Sequence, residues 1–109
     1  MGDVIIVETK VNSRDAAHHI AQALVEQRLA AAAQVTGPIA STYWWKGHLE
    51  QAEEWACTAK TRHDLYGPLE RAIRALHPYE TPSIVATPVV AASQGYVEWI
   101  EAETSAPIP

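Results

Sequence analysis

Two stretches of helical period stand between runs of strand character, and this alternation limits the chain to a small set of folds. Ala17, Ile20, Ala21, Leu24 and Val25 follow the i, i+3, i+4, i+7, i+8 spacing that puts apolar side chains on one helix face. Asn12 and Ser13 supply capping oxygens ahead of them, and Asp15 places a negative charge in the first turn. A helix is therefore predicted from about Ser13 to Leu29. Leu65, Leu69, Ala72, Ile73 and Leu76 form a second stripe. Pro68 suits its first turn, where an N–H has no partner to lose, and His77-Pro78 ends it, because proline disfavours the helical region for the residue before it.

The segments between these stripes read as strands. Val4-Ile5-Ile6-Val7 is a continuous β-branched run, as expected of a strand covered on both faces. Val35 to Trp45 predicts a long strand kinked or bulged at Gly37-Pro38, since proline is tolerated in a sheet only at an edge or an irregularity. Lys46-Gly47 predicts a two-residue hairpin turn. Beyond it Trp55, Cys57, Ala59 and Thr61 alternate with Glu54, Ala56, Thr58 and Lys60, the pattern of a strand with two unlike faces. Ser83 to Val90 predicts a fourth strand, with Pro88 marking an edge or bulge, and Tyr96 to Glu103 a short closing helix. The order β-α-β-β-α-β plus a terminal helix predicts an α+β, ferredoxin-like fold, in which right-handed crossovers set both helices on one face of an antiparallel sheet. Residues 1–104 are expected to form one domain and 105–109 a flexible tail. The second and third strands are longer than such a sheet needs. Their ends should project, and a second subunit is the expected cover.

Composition narrows the functional classes. Eight Lys and Arg against 13 Asp and Glu give a net charge of −5, which argues against nucleic acid or an anionic membrane as the main partner. Cys57 is the only cysteine, so no intrachain disulfide forms. Met1-Gly2-Asp3 lacks the basic start of a signal peptide, and no apolar run nears the roughly 18 residues of a membrane span. A cytoplasmic protein is expected. There is no Gly-rich phosphate loop and no G-x-S-x-G elbow, and Glu53 and Glu54 are strand neighbours that point apart, so no enzymatic activity is expected.

Particular side chains then stand out. His77-Pro78-Tyr79-Glu80-Thr81-Pro82 holds an imidazole, a phenol and a carboxylate between two stiffening prolines. Trp44 and Trp45 are consecutive on a strand and face opposite ways, so both cannot enter one monomer's core; one is expected at a subunit contact or an exposed cleft. Lys60 and Thr61 end the third strand, where a solvated end and an anion-binding cleft are equal readings. Cys57 reads as a small buried hydrophobe, and His18-His19, His48 and His63 as surface residues without a common partner.

Ser41-x-Tyr43-x-Trp45-x-Gly47, the Glu53-Glu54 pair leading to Lys60-Thr61, the His77-to-Pro82 segment and Tyr96-x-x-Trp99-Ile100, taken together and in this order, resemble the CutA family of divalent-cation tolerance proteins. The resemblance extends from the first strand to about Thr104. It implies a ferredoxin-like fold, a tight homotrimer related to the trimers of the signalling protein PII, a cytoplasmic setting and binding of copper or another divalent cation. The metal site it implies has a cysteine at the end of the first strand, the histidine of the His-Pro-Tyr motif and an acidic residue after the following Thr-Pro. Those positions read Glu8, His77 and Ser83. With Glu80 standing in for Ser83, the candidate donors for Cu(II) or another divalent cation are His77, Glu8 and Glu80, a harder set than one built on thiolate. Tyr43, Trp44, Trp45, Lys60 and Tyr79 are the candidate interface or cleft residues. The competing expectation is a PII-like scaffold that takes a small anionic ligand or a protein partner at clefts between subunits.

Overall fold

The computed structural model describes residues 3–108. Its elements are β1 (Val4–Val11), α1 (Arg14–Glu26), β2 (Ala32–Trp45), β3 (His48–Arg62), α2 (Tyr66–Leu76), β4 (Ile84–Pro88) and α3 (Gln94–Ser105), with a 3₁₀ turn over His63–Leu65 leading into α2. The strands form one antiparallel sheet in the order β2-β3-β1-β4. This is the expected α+β, ferredoxin-like arrangement.

Local chemistry sets most boundaries. Ser13 is extended, and its hydroxyl accepts from the Ala16 N–H at 3.1 Å, so it caps α1 rather than beginning it. The helix stops at Glu26, short of the predicted Leu29. Arg28 takes a positive φ of 59°, and the Leu29 and Ala30 N–H groups both donate to the Leu24 carbonyl. β1 runs past its apolar start to Val11 because Glu8, Thr9 and Lys10 stay in register with Thr58, Cys57 and Ala56 of β3. β3 begins at His48, paired with Trp45 across the Lys46-Gly47 turn. β4 ends at Pro88, which has no N–H to continue the ladder. α3 includes Ser105, one residue into the expected tail.

Strand alternation sorts the side chains. Ile5, Val7 and Val11 of β1 and Cys57 and Ala59 of β3 are buried in one cluster with Ala17, Ile20 and Leu24 of α1 and Leu69 and Ile73 of α2. The opposite face carries Ile6, Glu8, Lys10, Thr58 and Lys60, all partly exposed. α3 covers only the Val4 end of that face, through Ile100 packed with Val4 and Ala31 and through Arg62 donating to the Thr104 hydroxyl at 2.9 Å.

The Gly37-Pro38 irregularity lies on the edge strand β2, where the register to β3 shifts between Thr36 and Ile39. Trp55 fills the space under it. A Cβ at Gly37 would lie 2.4 Å from the indole Cδ1, so the missing side chain makes room for the ring. Gly37→Ala is accordingly expected to cost about 1–3 kcal/mol, as overpacking does, measured as a lower urea midpoint. An unchanged midpoint would mean that the indole swings aside freely.

Candidate functional site

The site is built where α2 gives way to the proline-flanked segment. Pro78 keeps His77 out of the helical region, and His77 adopts φ −78° and ψ 133° while its N–H still donates to the Ile73 carbonyl at 2.9 Å. The imidazole is thereby turned onto the end of β1. Its Nε2 lies 2.9 Å from the Lys10 carbonyl oxygen, and its Nδ1 lies 3.1 Å from the Tyr79 backbone nitrogen. A ring nitrogen facing a carbonyl must donate, and one facing an N–H must accept, so the ring is neutral with its proton on Nε2.

Tyr79 continues the chain of contacts. Its ring meets that of His77 edge-on, with centroids 4.7 Å apart. Its hydroxyl donates to Glu54 Oε2 at 2.7 Å, and Glu54 is only 6% exposed. Burial, followed by the bond to Glu54 and the charge behind it, pushes the phenol well above its usual range. For His77 burial dominates and lowers the value, against the opposing pull of the Lys10 carbonyl and the Glu54 carboxylate.

His77 makes stability depend on pH. Its folded value lies below the ordinary histidine value of about 6.5, so the unfolded chain takes up this proton first. Stability contributed by the neutral ring is present above about pH 6.5 and is lost as pH falls through the folded value. Denaturant midpoints from pH 8 to pH 5 should therefore fall on the acid side, and His77→Gln should remove that part of the slope. Identical profiles for the two proteins would contradict it.

The other expected donors lie in different company. Glu8 is bonded to Lys10 Nζ at 2.7 Å, and Glu80 faces Lys46 Nζ at 3.4 Å across from the hairpin turn, both ends of that second pair being largely exposed. Ser83 is exposed. Among the described residues, no three of His, Cys, Asp and Glu lie together in a way that could hold a metal ion. The residues of one chain do not fit the expected divalent cation: the ring nitrogens of His77 are both engaged, Glu8 and Glu80 each lie beside a lysine, and no three donors come together among the described residues.

The remaining candidates divide between two surfaces. Lys60 lies on the open sheet face, its ammonium donating to Gln34 Oε1 at 2.8 Å, while Thr61 is fully buried and donates to the Leu29 carbonyl at 2.7 Å. Tyr43, Trp44 and Trp45 occupy the end of the β2–β3 arm and are all exposed, Trp44 at 73%. The expectation that one tryptophan leaves the core is exceeded, because the arm carries both beyond it. Leu49, directly opposite Trp44, is 59% exposed, and Lys46 Nζ stands 5.3 Å from the Trp45 ring centre. Cys57 is buried, and burial raises its thiol to about 11, which makes it inert.

Glu54 is the residue that sequence reasoning missed. Alternation placed it correctly on the face opposite Glu53, but an acidic residue on a strand gives no sign that a tyrosine 25 positions later will cover it.

The family profile described as CutA1 divalent ion tolerance protein matches residues 5–103. The chain is 35% identical over 104 residues to the divalent-cation tolerance protein CutA of Thermus thermophilus, covering 95% of this chain and 99% of that protein. It is 35% identical over 101 residues to the protein of the same name from Pyrococcus horikoshii, covering 93% and 98%. Among solved structures, CutA of Xylella fastidiosa superposes with a TM-score of 0.91 at 30% identity, over 94% of this chain and 99% of that one.

Proposed function

Because the chain belongs to the CutA1 divalent ion tolerance family, we propose that it serves divalent-cation tolerance, copper included, as a cytoplasmic homotrimer that binds rather than catalyses. The observation that carries this reading is the β2–β3 arm. Tyr43, Trp44, Trp45 and Leu49 are exposed together at its end, a density of large apolar side chains that a monomer in water leaves at a free-energy cost and an interface takes up. The open sheet face adds a second surface, where, among the described residues, polar side chains around Ile6 stand with no helix over them.

Sedimentation equilibrium of the purified chain tests the assembly, with three times the 11.9 kDa chain mass expected. A monomer at micromolar concentration would overturn it.

A second reading is favoured by the engagement of the His77 ring. On it the trimer is a PII-like scaffold that binds a small anionic ligand or a protein partner at clefts between subunits, and cation tolerance follows from that binding. A thermal-shift screen of nucleotides and carboxylates beside Cu(II) and Zn(II) separates the two readings. Stabilisation by an anion with no metal present supports the scaffold; stabilisation by the cations alone supports direct binding.

A further inference from the structure

We infer that His77 is a structural cross-link and not a metal ligand: a neutral ring, protonated on Nε2, that fastens the Pro78–Pro82 segment to β1 and, through Tyr79, to the buried Glu54 of β3. Three bonds make the clamp, namely His77 Nε2–H to the Lys10 carbonyl, the Tyr79 N–H to His77 Nδ1, and the Tyr79 hydroxyl to Glu54. Together they join the end of α2, the end of β1 and the base of the hairpin arm.

The Nε2 bond alone would suit a metal ligand. A coordinating histidine commonly donates its second ring N–H to a backbone carbonyl and offers the other nitrogen to the metal. What removes that role is the Tyr79 amide. The Nδ1 lone pair already receives the N–H of the residue two positions on, inside a segment whose path is set by Pro78. A cation at Nδ1 would displace that donor and leave the Tyr79 N–H without a partner in a half-buried place. A cation at Nε2 would need the proton now bonded to Lys10 to leave.

The carboxylates of the candidate set have partners of their own. Glu54 receives the Tyr79 hydroxyl, Glu80 faces Lys46, and Glu8 is bonded to Lys10. A neighbouring copy of the chain could bring further donors, but the bond that occupies Nδ1 is made within a three-residue stretch and does not depend on assembly. His77 is fastened in the same way in one subunit and in a trimer.

Long-range proton–nitrogen NMR on the intact protein tests it, with Zn(II) chloride as the probe. The expected spectrum shows His77 with a protonated Nε2 and an unprotonated Nδ1, both unmoved by one and two equivalents of Zn(II). The exposed His18, His19, His48 and His63 serve as internal references for loose binding. Tyr79→Phe keeps the backbone donor and loses only the bond to Glu54. It should lower the melting temperature and leave the His77 nitrogens as they were. In calorimetry, His77→Gln should bind Zn(II) and Cu(II) with wild-type heats. A Zn(II)-dependent displacement of Nδ1 at stoichiometric metal, or a tenfold weaker affinity in His77→Gln, would overturn the inference. Should His77→Gln fail to fold, the wild-type spectrum decides alone.

Discussion

Lysine in place of both Trp44 and Leu49 is expected to convert the proposed homotrimer into a folded monomer. The two residues pair directly across the arm and are 73% and 59% exposed, so they contribute little to the subunit's own core. Surface changes of this kind usually alter subunit stability by no more than about 0.5 kcal/mol. At an interface the balance differs. Truncating a buried aromatic anchor commonly costs about 2 kcal/mol or more, which is roughly 30-fold in affinity, and an ammonium group taken out of water at the contact adds a desolvation cost. The loss recurs at every contact of a closed ring. Sedimentation should report the monomer mass while circular dichroism stays unchanged; a double variant that remains trimeric would remove the arm from the interface.

Leu24→Ala should have the largest effect on the subunit itself. Leu24 is fully buried on α1 within the cluster that joins both helices to the sheet. Deleting its side chain removes buried apolar contact and leaves a cavity, at about 2–5 kcal/mol. Against a total stability of about 5–15 kcal/mol that is a large share, and in a domain of this size it corresponds to a fall of roughly 4–8 °C in Tm per kcal/mol. Association raises apparent stability with concentration, so the comparison belongs at one protein concentration. His18→Ala, on the exposed side of the same helix, is the control and should stay within about 0.5 kcal/mol. Equal melting temperatures for Leu24→Ala and the control would mean that the helix face is not the core.

Both helices were legible because a 3.6-residue period is a local signal, carried within a dozen residues by Ala17 to Val25 and by Leu65 to Leu76. The hairpin turn at Lys46-Gly47 and the bulge at Gly37-Pro38 were legible for the same reason, since each depends on the backbone limits of one or two residues. The strand ends were not. Glu8, Thr9 and Lys10 look like the end of an apolar run until β3 is known to pair with them, and Ala32 to Gln34 stand outside the predicted second strand until Lys60 to Thr58 lie alongside. Ladder pairing is a property of two segments, and one segment alone does not display it.

The same division runs through the candidate site. From the residues themselves came a stiff His77-to-Pro82 segment that must stop a helix and hold its imidazole and phenol, because proline restricts the backbone wherever the chain goes. Tertiary structure alone decided what those groups meet. It set the Lys10 carbonyl on Nε2 and Glu54 under the Tyr79 hydroxyl, and it left Glu8 and Glu80 with lysines of their own. Hydrogen-bond partners are chosen by which chain segments fold against one another, and sequences far apart in number carry no local mark of that meeting.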